Sequence, residues 1–212
     1  METDHTRLHQ QLQFIVEIDK LKHVLRQTLL IDKSRRENDA EHSWHLAMMA
    51  ILLSEYAGEK VNLVRVLKMV LIHDLVEIDA GDTFCYDEPA IQTQTDREAA
   101  AADRLFGLLP MDQTDQLRSL WEEFEAKQSA DARFATALDR LQPILHNYHT
   151  QGGTWKRAGV TIDKIRQRIA PIALGSPRLG EFAETLIQDA LRQGFLEKEE
   201  SNAATSEEPV LR

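Results

Sequence analysis

Four residues of metal-binding type stand at notable positions in this chain: His42, the adjacent pair His73-Asp74, and Asp139. A His-Asp dipeptide arises often by chance, so its setting carries the argument. In Val70-Leu71-Ile72-His73-Asp74-Leu75-Val76 two ionisable groups interrupt an apolar run, where each is costly unless paired. Two readings fit: a buried, hydrogen-bonded His-Asp pair tying helices together, or a metal site. Neighbours on a helix point roughly 100° apart. His73 and Asp74 can therefore share an ion only if it sits beside their helix. The remaining ligands must then come from other helices, as in metal sites inside helical bundles. Two imidazoles and two carboxylates suit Mn2+, Co2+, Fe2+, Zn2+ or Ni2+, with Mg2+ less natural; the ligand types alone do not choose among them.

The elements that must position these residues read as helices nearly throughout, giving an all-α class with no internal repeat and no convincing strand. Leu8, Leu12, Ile15, Val16, Ile18, Leu21 and Leu25 recur at helical spacing. Residues 30–40 are polar and read as a loop. A second helix is expected from Asp39 or Ala40, burying Trp44, Met48, Ile51 and Leu52 and ending by Gly58. Asn62 is a plausible N-cap for a third helix, which carries His73-Asp74. Gly81-Asp82 breaks the pattern, and 86–89 continue as loop. Helices follow over 95–109, 112–128 and 131–149, then a break at Gln151-Gly152-Gly153, then helices over 162–168 and 178–195. From Glu197 the composition is acidic and small and reads as a disordered tail, so residues 1–196 form the domain and 197–212 the tail.

Bulk properties narrow the function classes. The chain has 212 residues, enough for one domain with a sizeable core, with 42% hydrophobic and 28% charged residues, as in soluble globular proteins. A formal net charge of -10 and the absence of a Lys/Arg cluster argue against a nucleic-acid partner. They leave room for a small phosphorylated substrate, since a metal and one or two arginines can make a locally positive pocket. No apolar run is long enough for a membrane span. The polar N-terminus lacks a signal-peptide core, and the single cysteine, Cys85, forbids an internal disulfide. A cytoplasmic setting is expected.

The stretch from Arg36 to Asp87 (RENDAEHSWHLAMMAILL…VLIHDLVEIDAGDTFCYD), followed by ALDRLQP at 137–143, resembles the HD-domain phosphohydrolases, and within them the YfbR-type 5'-deoxynucleotidase branch and its eukaryotic HD-domain-containing relatives. The likeness extends over roughly residues 8 to 195. Each piece alone is weak; the order His, His-Asp, Glu four later, Gly-Asp and a distant Asp is specific. The resemblance implies a helical domain in which His42, His73, Asp74 and Asp139 bind one divalent cation. It implies catalytic or substrate-contacting carboxylates at Glu77 and Asp82. It also implies a phosphate-binding arginine upstream, matched by Arg26, with Arg35 or Arg36 as alternatives. The activity implied is release of phosphate from a (deoxy)nucleoside 5'-monophosphate, and the expected assembly is a homodimer.

The residues suggest how this chemistry would run. Glu77, one turn after His73, shares its helical face if the helix persists and could position or deprotonate water. Asp82, in a loop, could orient water or protonate the leaving oxygen. The bland alternatives are a solvated helix-end charge and a turn residue. His45, His146, Tyr148, His149 and Trp155-Lys156-Arg157 are read as packing residues. Three rivals remain. A dinuclear HD enzyme is disfavoured because no histidine lies between Asp74 and Asp139. A nucleotide pyrophosphohydrolase or guanosine-tetraphosphate hydrolase would use the same scaffold. A non-enzymatic helical adaptor sits poorly with four intact ligand positions and Glu77.

Overall fold

Apolar periodicity does yield helices over most of the chain. In the computed structural model, which describes residues 4–157 and 160–196, the order is α1 (Asp4–Glu17), β1 (Leu25–Leu29), β2 (Arg36–Asn38), α2 (Asp39–Leu53), α3 (Leu63–Ile72), α4 (Glu77–Ala80), α5 (Glu88–Gln92), α6 (Gln94–Phe106), α7 (Met111–Ala126), α8 (Ala130–His149), α9 (Ile162–Gly175) and α10 (Pro177–Arg192). The fold is all-α apart from one hairpin. The expected tail, 197–212, lies outside the described residues.

The start of α2 follows from its cap. Asn38 accepts a hydrogen bond from the Glu41 amide while the Glu41 carboxylate accepts from the Asn38 amide, a reciprocal arrangement that stabilises by about 1 kcal/mol. Asn62 caps α3 as expected, accepting from the amides of Val64 and Arg65. α8 lies at the centre, packed by α2, α3, α7, α9 and α10. Phe134, Leu138 and Leu141 on it are almost fully buried, each such side chain stabilising by about 1.5–3 kcal/mol.

Four expectations are corrected. The first apolar stretch is not one helix: α1 ends at Glu17, a 3-10 turn spans Ile18–His23, and the chain then becomes β1. Leu8, Leu12, Ile15 and Val16 are exposed, while Phe14 and Leu21 are buried. The polar segment after residue 30 is the turn and second strand of an antiparallel hairpin, Leu25 facing Asn38 and Leu29 facing Arg36. It is held by polar groups rather than apolar alternation: Asp32 accepts from the Ser34 amide at 2.9 Å, and Arg36 donates to the Leu25 carbonyl at 2.7 Å and to the Arg26 carbonyl. On α2 the buried side is His42, Ser43, Leu46, Met49 and Ala50, and Trp44, Met48, Ile51 and Leu52 are exposed. The more apolar face loses because His42 on the other face has its partner, Asp139, inside the fold. Finally, α3 does not persist through its motif. It tightens into a 3-10 turn at His73–Val76 and restarts as α4 at Glu77.

Candidate metal centre

α2 supplies His42, the 3-10 turn after α3 supplies His73 and Asp74, and α8 supplies Asp139. Their side chains converge. His42 Nε2 lies 3.1 Å from Asp139 Oδ1 and 3.9 Å from Asp74 Oδ2. His73 Nε2 lies 3.0 Å from Asp74 Oδ1 and 3.7 Å from Asp139 Oδ1. All four residues are buried. His73 Nδ1 is 3.0 Å from the Val70 carbonyl; donating there, the ring directs the Nε2 lone pair at the two carboxylates. That Nε2 is buried without a hydrogen-bond partner. An unsatisfied imidazole nitrogen facing two carboxylates and a second imidazole fits a divalent cation.

Charge is distributed unevenly here. Burial alone would lower His73, but the adjacent Asp74 and Asp139 carboxylates raise it to about 9. His42, lowered by burial and by Arg26, falls to about 4. Burial would raise Asp139, yet Arg140, the hydrogen bond with His42 and the nearby His73 hold it well below the usual carboxylate range.

Arg26, on β1, reaches the same place: Nη1 is 3.0 Å from Asp74 Oδ2 and 3.3 Å from Asp39 Oδ1, and Nε is 3.7 Å from Glu37 Oε2. Arg35 and Arg36 point elsewhere, Arg35 to the exposed Glu41 and Arg36 to backbone carbonyls. Glu77 and Asp82 form a group with Asp39, each offering an oxygen within 4.8 Å of the others. Glu77 is raised well above its ordinary value by burial, then by Asp74 and Asp39. Asp39, raised by burial and then by Asp74, reaches about 7, and Asp82 is also raised, chiefly by burial. Mutually repelling carboxyls in a low-dielectric place hold their protons to higher pH than free carboxyls, the direction a proton-transfer group needs. Because the 3-10 turn intervenes, Glu77 faces this cluster through a change of helical pitch rather than through α-helical i,i+4 spacing.

A cavity of about 340 Å3 opens beside these residues. Arg26, His73, Asp74, Glu77, Asp82 and Asp139 all line it. Phe84, Tyr86 and Trp155 give it aromatic wall, and Arg140 and Arg168 add positive charge. Arg140 Nη1 is 3.0 Å from Asp139 Oδ2. Arg168 forms no hydrogen bond or ion pair with a described residue, and burial, with Arg140 nearby, lowers its pKa.

Reading the chain alone misses Glu37, Asp39, Arg140 and Arg168. Asp39 resembles an ordinary acidic residue in a helix's first turn, and Arg140 an ordinary helix charge. A signal was available for Arg140, its place beside Asp139; none marks Arg168. Trp155, read as packing, is buried but also borders the cavity.

A family model described as HD domain matches residues 18–178. The 5'-deoxynucleotidase HDDC2 of Homo sapiens is 32% identical over 135 residues, covering 63% of this chain and 65% of that protein. The chain thus spans just under two thirds of this relative's length. The crystal structure of a predicted metal-dependent phosphohydrolase from Magnetospirillum magnetotacticum superposes with a TM-score of 0.88 at 58% identity, covering 92% of this chain and 99% of that one. An HD-domain phosphohydrolase from Listeria innocua shares the fold, with a TM-score of 0.63 at 16% identity over 87% of this chain and 90% of that one.

Proposed function

The chain belongs to the HD-domain family, and from that premise we propose that it is a metal-dependent phosphohydrolase releasing phosphate from (deoxy)nucleoside 5'-monophosphates. The observation carrying this reading is the convergence of His42, His73, Asp74 and Asp139, from three separate elements, beside a cavity whose wall includes His73, Asp74 and Asp139 together with Glu77 and Asp82. The likeness to 5'-deoxynucleotidases supports the substrate class.

In this reading the four ligands hold one divalent cation. When bound, it supplies Lewis acidity to a phosphoryl oxygen and lowers the pKa of water. The chain's own groups do the rest. Glu77, with Asp39 and Asp82, holds and exchanges the proton that moves between water and the leaving sugar oxygen. Arg26 binds the phosphate while also neutralising Asp74 and Asp39. Arg168, which has no carboxylate partner among the described residues, is a second phosphate contact. Phe84, Tyr86 and Trp155 offer apolar surface to the nucleoside.

The ligand types suit Mn2+, Co2+, Fe2+, Zn2+ or Ni2+ over Mg2+. We further take the protein to be a cytoplasmic homodimer. No described helix is long and apolar enough to cross a membrane, and Cys85 is a free thiol. The exposed row Trp44, Met48, Ile51 and Leu52 on α2, at i, i+4, i+7 and i+8, supports self-association. The test is phosphate release from a panel of nucleoside mono-, di- and triphosphates with each metal. Cleavage of monophosphates, lost in His73→Ala, is expected. Cleavage confined to anhydrides would replace this reading with pyrophosphohydrolysis, and no cleavage with any metal would remove the enzyme.

A further inference from the structure

Glu37 on β2 faces two ways. Its Oε2 lies 3.8 Å from His42 Nδ1 and 3.7 Å from Arg26 Nε, toward the centre described above. Its Oε1 faces a separate group, His45 on α2 and His146 on α8; a ligand atom of each of the three lies within 4.8 Å of the others. The Gln142 amide nitrogen stands among them, 2.7 Å from Glu37 Oε1, 3.0 Å from His146 Nε2 and 3.4 Å from His45 Nδ1.

The polar atoms of this group are not all satisfied. His146 donates its Nδ1–H to the Leu29 carbonyl at 2.9 Å, so its Nε2 presents a lone pair. Burial lowers the pKa of both His45 and His146, which disfavours the charged rings. The two amide hydrogens of Gln142 reach Glu37 Oε1 and His146 Nε2, the two nearer atoms, while His45 Nδ1 stands at 3.4 Å, the edge of hydrogen bonding. Meanwhile Gln142 Oε1 is buried with no partner, and a buried carbonyl without one costs free energy. A cation at the point of convergence would take the inward lone pairs of Glu37 Oε1, His45 and His146 and leave the amide free to turn.

We propose that Glu37, His45, His146 and Gln142 form a second metal site, distinct from the one that binds the phosphate ester. Turning over the Gln142 amide exchanges two atoms of nearly equal size and presents its now orphaned oxygen as a fourth donor. The spacings then suit one ion. Ligands about 2.0–2.1 Å from a tetrahedral ion lie about 3.3–3.4 Å apart. The separations here are 2.7, 3.0 and 3.4 Å from the amide position and 4.0 Å between His146 Nε2 and Glu37 Oε1. Two imidazoles with a carboxylate and an amide oxygen select Zn2+, Co2+ or Ni2+ rather than Mg2+ or Ca2+. His45 is half-buried, which gives the ion a way in from solvent.

The site is tested in the full chain by metal binding, so its outcome is independent of the phosphohydrolase reading. In the double variant His73→Ala/Asp74→Ala, which disables the first centre, chelator-stripped protein titrated with Co2+ is expected to bind about one ion per chain with the visible absorption of tetrahedral coordination. Adding His45→Gln, a change at a half-buried position, should abolish that absorption while circular dichroism stays unchanged. In the otherwise native chain His45→Gln should reduce bound Zn2+ from about two ions to about one. Absence of Co2+ binding in the folded double variant, or binding that His45→Gln leaves intact, overturns the proposal.

Discussion

At the scale of single residues, the centre divides into groups that hold and groups that transfer. Glu77 is buried beside Asp39 and Asp82 rather than grouped with the histidines. Glu77→Ala should therefore retain metal and nucleotide and lose turnover by about a hundredfold or more; metal content and single-turnover rates check both halves. Arg26 has a heavier structural part than a phosphate contact alone. Arg26→Ala leaves Asp39 and Asp74 without their common counter-charge, a loss of about 3–5 kcal/mol for a broken buried pair, readable as a lower denaturant midpoint; Arg26→Lys should recover part of it. The metal-free protein should also respond to pH in a defined direction. His73 is raised from 6.5 to about 9, so its proton stabilises the fold fully below pH 6.5, and that contribution disappears as pH rises through 9. Glu37 and Asp39, each raised to about 7, reduce stability with rising pH only up to about that value, and His42, lowered to about 4, acts oppositely only below pH 6.5. Between pH 7 and 9 His73 lowers stability as pH rises, and Glu77, also raised well above its ordinary value, acts in the same direction. The melting temperature of the stripped protein should fall over that window, by about 2–4 °C per kcal/mol for a chain of this size, while the loaded protein, whose cation replaces that proton, should not follow.

At the scale of elements, position is set by close helix approach. Gly175 closes α9 against α8: a Cβ there would stand 2.6 Å from the Arg133 carbonyl carbon and 2.9 Å from Ala137 Cβ. Both obstacles belong to α8 rather than to a flexible side-chain end, so α8 and α9 must separate. Gly175→Ala should cost about 1–3 kcal/mol, as overpacking does, measurable by chemical denaturation. The displacement would reach the centre too, because Asp139 is carried by α8 and Arg168 by α9. The hairpin plays a corresponding part: β1 delivers Arg26 and β2 delivers Glu37 into a region otherwise made by helices.

At the scale of the whole molecule, an acidic protein with net charge -10 gathers Arg26, Arg140 and Arg168 on one cavity. Attraction for a small anion is thus local, while the surface repels polyanions. The outer face of α2 is the other large-scale feature, with Trp44 at 63% and Leu52 at 65% exposure. If two copies meet there, Trp44→Glu with Leu52→Glu should convert a dimer to a monomer in light scattering without lowering helix content. A native chain that is monomeric at micromolar concentration would refute the dimer.

Much of the architecture could be read along the chain because helix periodicity and caps are local. The start of α3 follows from Asn62, the start of α2 is expected at Asp39 or Ala40, the break after α8 follows from Gln151-Gly152-Gly153, and the all-α class from apolar spacing. The motif order His42, His73-Asp74, Asp139 likewise identified residues that the fold brings together. What the chain alone could not settle depends on contacts between distant segments. The hairpin has no alternating apolar pattern, since its strands are held by Arg36 and by backbone partners. The buried face of α2 is the less apolar one, because His42 and Ser43 point into the interior. Asp39 looks like an ordinary first-turn charge until the start of α2 sets it beside Glu77 and Asp82, and Arg168 looks like a surface charge until α9 sets it on the cavity. Tertiary structure decides these points because the cost of a buried polar group depends on its partners, and those partners lie tens of residues away.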